Sequence, residues 1–186
     1  MDRLVHEEAL TAEDLLGLPD TEERQEIVAG CLTCEPPAPF RHGEVAAQVF
    51  RLLVEFVRSR GLGKVLSAET GFVLARSPDT VRAPDVAFIT NQRLKAAGVF
   101  EGFFPGPPDL AVEVRSPGDR QSEIHAKVAD YLAGGARLVW VVEPARSCVW
   151  VYESLLSPRT LGPEELLEAP GLLPGFSVHV SEIFES

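Results

Sequence analysis

Residues 108–119 read PDLAVEVRSPGD, and the apolar run Leu110–Val114 within them carries a carboxylate, Glu113, near its centre. A run this apolar and β-branched forms a strand buried on at least one face. An ionised carboxylate in such a place is costly unless it is neutralised, paired or bound to a cation. Strand side chains alternate, so Asp109, Ala111, Glu113 and Arg115 share one face while Leu110, Val112 and Val114 share the other. Any fold that accepts this strand must bury the fully apolar face and neutralise, pair or coordinate the carboxylate on the opposite, mostly polar one.

The flanking pattern supplies the rest of the architecture. Upstream, Val45, Val49, Leu52, Leu53, Phe56 and Val57 form one apolar stripe of a helix over about 43–59. Strands are expected over 25–37, 64–75 and 85–89, with Ser77-Pro78-Asp79 as the turn before the last of these. A Gly/Pro-rich connection spans 91–108 and allows one helical turn. Downstream of the strand at 109–115 a helix runs over about 120–133, stopped by Gly134-Gly135. Strands follow at 136–144, 147–153 and near 176–180, and Thr11 caps a short helix over 10–19. From residue 43 the order is helix, strand, strand, strand, helix, strand, which implies an α/β fold with a mixed sheet flanked by helices.

At 186 residues and 45% hydrophobic, the chain can bury one substantial core, so residues 1–186 are expected to form a single domain. Within it, 1–40 is an acidic helix-and-strand extension, 41–153 the core and 154–186 a C-terminal extension. No run of about 18 apolar residues and no apolar leader is present, so a membrane span is not expected and a cytoplasmic protein is. Three cysteines support no disulfide framework. In Cys31-Leu32-Thr33-Cys34 the sulfurs lie on opposite faces of an extended segment, so these read as two half-buried cysteines rather than a zinc set. Trp140, Trp150 and Tyr152 read as core or interface residues.

The net charge of −11 is unevenly spread. Residues 1–40 hold ten acids and two bases, 41–149 hold twelve acids and fourteen bases, and 150–186 hold six acids and one base. The acidity lies in the flanks, and the core, mildly basic, remains compatible with a phosphate-bearing partner.

Asp85 begins a strand directly after Pro84, with Ala87 and Ile89 on its face. Neighbouring strands can bring Asp85 and Glu113 together, and carboxylates held close raise a pKa unless a cation compensates. Hard oxygen donors of this kind suit Mg²⁺ or Mn²⁺. Glu123 and Lys127 share a face of the following helix, and a lysine there could orient a metal-bound water or stabilise charge on a phosphate. Asp109, about 13 Å from Glu113 along the strand, is too distant to share an ion and reads as structural. His42 and His125 read as surface groups.

The segments RAPDVAFI (82–89), PDLAVEVRSPGD (108–119), Lys127 with Tyr131, GARLVWVVEP (135–144) and CVWVY (148–152) together resemble the Uma family of restriction endonucleases, assigned to the PD-(D/E)xK nuclease superfamily. The likeness extends to EIVAG (26–30), PPAPFRHGEVAAQV (36–49) and PGFSVHVSEIF (174–184). It implies a restriction-endonuclease-like fold in which Asp85 and Glu113 bind a divalent metal, Mg²⁺ or Mn²⁺. Lys127 would take the catalytic lysine's role, and Glu44 would be a further metal-shell carboxylate. In the superfamily's usual form a lysine lies two residues beyond the second acid. Arg115 stands there in this chain, and it remains an alternative cation, one unable to act as a base at neutral pH. The implied activity is metal-dependent hydrolysis of phosphodiesters, in DNA, by a cytoplasmic protein that could pair as a homodimer. Two other readings stay open: a non-catalytic nucleic-acid- or protein-binding domain that kept the fold, and a hydrolase of small phosphate compounds.

Overall fold

The computed structural model describes residues 9–19 and 23–185. Helix α1 (Ala12–Gly17) precedes a hairpin of β1 (Arg24–Val28) and β2 (Cys31–Glu35), which leads into the long helix α2 (Phe40–Arg60). Four strands follow, β3 (Gly63–Ser67), β4 (Phe72–Ala75), β5 (Thr80–Arg82) and β6 (Val86–Thr90), and then helix α3 (Asn91–Ala97). The second half holds β7 (Leu110–Val114), α4 (Gln121–Gly134), β8 (Leu138–Glu143), β9 (Cys148–Tyr152) and β10 (Arg159–Leu161). A hairpin of β11 (Leu166–Ala169) and β12 (Leu173–His179) and a 3₁₀ turn, Val180–Ile183, end the described chain.

The principal sheet has the order β10-β9-β8-β7-β6-β3. β6 runs antiparallel to both β3 and β7, whereas β7 and β8 are parallel because α4 carries the chain back across the sheet. Helix α2 covers one face: Val45, Val49, Leu53 and Val57 belong to the same cluster as Phe88, Leu110, Val112 and Trp140. Helix α4 covers the other, where Ile124, Val128 and Tyr131 meet Ala87, Ile89, Ala111 and Val139. The expected core order is therefore present as α2-β3-β6-β7-α4-β8.

Three expectations are corrected. Residues 25–37 do not form one strand, because Ala29 and Gly30 adopt φ of 49° and 79° and fold the segment into a two-residue hairpin. An added Cβ at Gly30 would come within 2.5 Å of Ala9 Cβ, so the turn is closed by packing as well as by backbone. Residues 64–75 divide into β3 and β4, which lie in different sheets, with Glu69 at φ 72° in the bend. Finally, Cys31 and Cys34 are exposed rather than half-buried.

β4 and the added strand β5 join the N-terminal hairpin in a second sheet of order β2-β1-β5-β4. Buried charge fastens it to helix α4. Arg82 Nη1 donates to Glu26 Oε2 at 2.8 Å and Arg82 Nη2 to Asp130 Oδ2 of α4 at 2.7 Å. The Ala83 amide donates to Glu26 Oε1 at 2.8 Å, so both oxygens of this fully buried carboxylate have partners.

Removing one member of such a buried set leaves the other uncompensated. Glu26→Ala is expected to lower unfolding stability by roughly 3–5 kcal/mol, read as an earlier midpoint in urea melts.

Candidate active site

The fold sets the two acids of interest opposite each other. Val86 pairs with Val112 and Ala87 with Ala111 across antiparallel β6 and β7. One further step in that register places Asp85 against Glu113, a spacing at which cross-strand Cβ atoms lie about 4.5–5.5 Å apart. Both are buried, at 3% and 2% exposure. Because α4 packs over it, the Glu113 face of β7 is closed rather than open, and Ala111 on that face is completely buried.

Four elements converge on the pair. From the first turn of α2, His42 Nε2 lies 3.1 Å from Asp85 Oδ2. The backbone amide of Val114 donates to the same oxygen at 2.7 Å. Arg24, at the start of β1, donates through Nη1 to Asp85 Oδ1 and to the Ala83 carbonyl, both at 3.1 Å. Its Nη2 pairs with Glu35, its cross-strand partner in the hairpin. From α4, the Tyr131 hydroxyl donates to Glu113 Oε1 at 2.7 Å, and Lys127 Nζ lies 3.4 Å from Glu113 Oε2. The same ammonium is held by Glu35 Oε1 at 2.5 Å.

Local electrostatics divides the pair. Burial pushes the Asp85 carboxyl up, but the His42 hydrogen bond and charge, Arg24 and the Val114 amide outweigh it, and the net pKa is lowered. His42 responds in the opposite sense, raised by Asp85 despite the cost of burying its charged form. Glu113 lacks such compensation. Burial, assisted by Asp85 and Glu26, overrides Lys127 and Arg24 and pushes it up to about 7. Lys127 is held protonated: burial favours its neutral form, but Glu113, Glu26 and Glu35 together raise its pKa.

These side chains line a cleft of about 1280 Å³ between the two sheets, walled by the proline segment 36–39 and the 116–119 loop. Among the described residues its lining carries six carboxylates against three Arg or Lys side chains and His42.

Asp85, Glu113 and Lys127 are thus brought together. Glu44 is not among the cleft-lining residues, and its carboxylate pairs with Arg41 at 2.6 Å. Arg115 turns away to β8, where it donates to Glu143 at 3.0 Å and to the Asp119 carbonyl. It is not a cation of this cleft. Asp109 accepts the Thr90 amide at 2.8 Å and pairs with Arg93, fastening the start of α3. Trp140 is buried in the core, stacked on Phe176. His42, expected at the surface, proves to be a half-buried partner of Asp85, and Arg24 and Glu35 were not singled out in the sequence at all.

Two carboxylates opposite one another suit a hard divalent cation, since Mg²⁺ commonly takes one or two protein carboxylates and completes its shell with water and phosphate oxygens. Among the described residues no third His, Cys, Asp or Glu completes a metal-binding cluster. The donor set fits an ion of that kind and not one needing a full protein cage.

A mixed sheet with a helix-strand-strand-strand-helix-strand core and two facing acids defines a restriction-endonuclease-like protein. Residues 12–181 match the Uma2 family, described as "Putative restriction endonuclease", and the chain belongs to that family. No curated protein matches it. Its fold is similar to that of a protein from Anabaena variabilis ATCC 29413, described as a "putative nuclease belonging to DUF820", with a TM-score of 0.81. At 20% identity that likeness covers 94% of this chain and 97% of the other, and it speaks to the fold. Among the described residues no helix is long and apolar enough to cross a membrane.

The elevated Glu113 pKa has a measurable consequence. A carboxyl near 4.5 when unfolded and near 7 when folded binds its proton more tightly in the native state, so stability falls as pH rises through that window. Glu113→Gln is expected to abolish this loss, on the order of 3 kcal/mol at most, in denaturant melts at pH 5 and pH 8 without divalent ions.

Proposed function

We propose that this protein is a metal-dependent endonuclease that hydrolyses phosphodiester bonds in DNA. The observation that carries the reading is the register-enforced opposition of Asp85 and Glu113 in a cleft that also holds Lys127. Asp85 and Glu113 would hold Mg²⁺ or Mn²⁺, which when bound supplies Lewis-acid polarisation of the phosphate and a water of lowered pKa. In the net reaction a water oxygen forms a new bond to phosphorus, the ester P–O bond breaks, and the leaving oxygen takes up a proton.

The chain's own residues have separable tasks in this scheme. Lys127, kept protonated by its three acidic neighbours, orients the water and stabilises charge growing on the phosphate; it is not the proton acceptor. Tyr131 fixes one Glu113 oxygen, and the other, Oε2, lies 3.4 Å from Lys127 Nζ. The Val114 amide and His42 fix one Asp85 oxygen in the same way. The excess of carboxylates along the lining supports metal dependence, because an acidic cleft repels a phosphate until a cation is present.

A second reading, a nucleic-acid- or protein-binding domain without turnover, draws on Arg115. The arginine at the superfamily's usual lysine position is committed to Glu143 and lies outside the cleft. A plasmid-nicking assay separates the two. With Mg²⁺ or Mn²⁺, Asp85→Ala and Glu113→Ala are each expected to lower cleavage more than about a hundredfold. Lys127→Ala should cost about 10²–10³ in turnover. Tight DNA binding without cleavage by the wild-type protein would establish the binding domain instead, and turnover of nucleotides but not polymers a small-phosphate hydrolase.

Pairing into a homodimer would suit a two-stranded substrate. In sedimentation at micromolar concentration the protein is expected to run at twice the monomer mass of 20.2 kDa.

A further inference from the structure

Arg24 is a residue that the proposed chemistry leaves unused, and its place is unusual. It enters from the N-terminal hairpin, 61 residues before its partner Asp85, and its side chain is only 18% exposed. Its guanidinium lies on Asp85 Oδ1, the one oxygen of that carboxylate not already taken by His42 and the Val114 amide. Glu35 grips the other side of the same guanidinium and also holds Lys127. Around the acidic pair, three carboxylates, Glu35, Asp85 and Glu113, therefore face two permanent cations, Arg24 and Lys127.

Two cations cannot both claim Asp85 Oδ1. A divalent ion and a guanidinium at hydrogen-bond distance from the same oxygen repel each other strongly in a partly buried site. The side chain that must yield is the arginine, since Glu35 already offers it a second anchor.

We propose that Arg24 is an exchangeable cation of the active centre: it neutralises Asp85 in the metal-free protein and is released to bind the substrate phosphate when Asp85 and Glu113 turn to a divalent ion. The inference rests on the metal-dependent nuclease reading given above. It assigns Glu35 a positioning role, as the acceptor that keeps the released guanidinium and Lys127 at the cleft. Arg24 suits the second task because a planar guanidinium matches phosphate geometry with paired donors. The hairpin is thereby part of the active centre and not a decoration on it.

The proposal makes metal binding and cleavage respond in opposite directions. Mn²⁺ binding is measured by electron paramagnetic resonance titration at pH 7, and cleavage by plasmid nicking, for the full chain and three variants. Arg24→Met should bind Mn²⁺ at least about tenfold more tightly, given the size of a unit-charge repulsion at this range, yet nick plasmid more slowly with a raised KM for DNA. Glu35→Gln should shift Mn²⁺ binding the other way, weakening it at least about threefold, because the guanidinium then has Asp85 as its remaining carboxylate partner. Structural damage would weaken both variants alike, and that result overturns the proposal, as does unchanged or weaker Mn²⁺ binding in Arg24→Met. If Arg24→Met does not fold, the sign of the Glu35→Gln shift decides.

Asp85→Ala distinguishes the two levels of the argument. If it abolishes Mn²⁺ binding while Arg24→Met leaves binding unchanged, only the exchange fails. If Asp85→Ala binds Mn²⁺ as the wild type does, the metal site itself is wrong and the exchange falls with it.

Discussion

Two carboxylates face one another across adjacent antiparallel strands on the covered face of a sheet, and the structure around them is organised by that fact. Neither acid can be charged there without positive charge or hydrogen-bond donors close by. Asp85 receives its donors from three directions: helix α2 through His42, the hairpin through Arg24 and the next strand through the Val114 amide. Glu113 receives its donors from α4, through Tyr131 and Lys127. The unequal supply explains why one carboxyl is stabilised as the anion while the other is pushed to about 7.

This arrangement also explains the second sheet. A six-stranded sheet between two helices would bury the acids without giving the site a wall. The hairpin and β5 fill that role, and Glu26, Arg82 and Asp130 pin them to α4 by buried ion pairs. Buried ion pairs contribute little net stability, but they resist displacement because breaking one strands the other charge. The pinning fixes Arg24 and Glu35 relative to a strand and a helix from distant parts of the chain. The hairpin of β1 and β2 is tied to β5 where Ile27 pairs with Val81.

The position of positive charge is where this chain departs from the pattern it otherwise resembles. Arg115 follows Glu113 by two residues and shares its strand face in principle, yet its side chain reaches along the sheet to Glu143 on β8. The cleft is served instead by Lys127, whose helix crosses above the acids, and by Arg24. An ammonium or guanidinium group can reach one site from several backbone positions, because its long stem tolerates a change of origin.

Much of the core was legible from residue order. Apolar spacing located α2 and α4, and short apolar, β-branched runs located β6 to β9, because those patterns depend on which residues meet a neighbouring layer. The opposition of Asp85 and Glu113 was likewise inferable, as both lie on strands that a short meander places side by side. The hairpin at Ala29-Gly30 and the split between β3 and β4 were not, since each turns on one or two residues with positive φ inside otherwise apolar runs. The sequence by itself determined the layers, the two acids and the lysine that follows them. Only the tertiary structure decided that His42 is a partner of Asp85, that Arg115 is elsewhere engaged and that Arg24 and Glu35 belong to the cleft. Those contacts join residues far apart in the chain, and a polar side chain carries no periodic signal of the partner that a distant segment will bring to it.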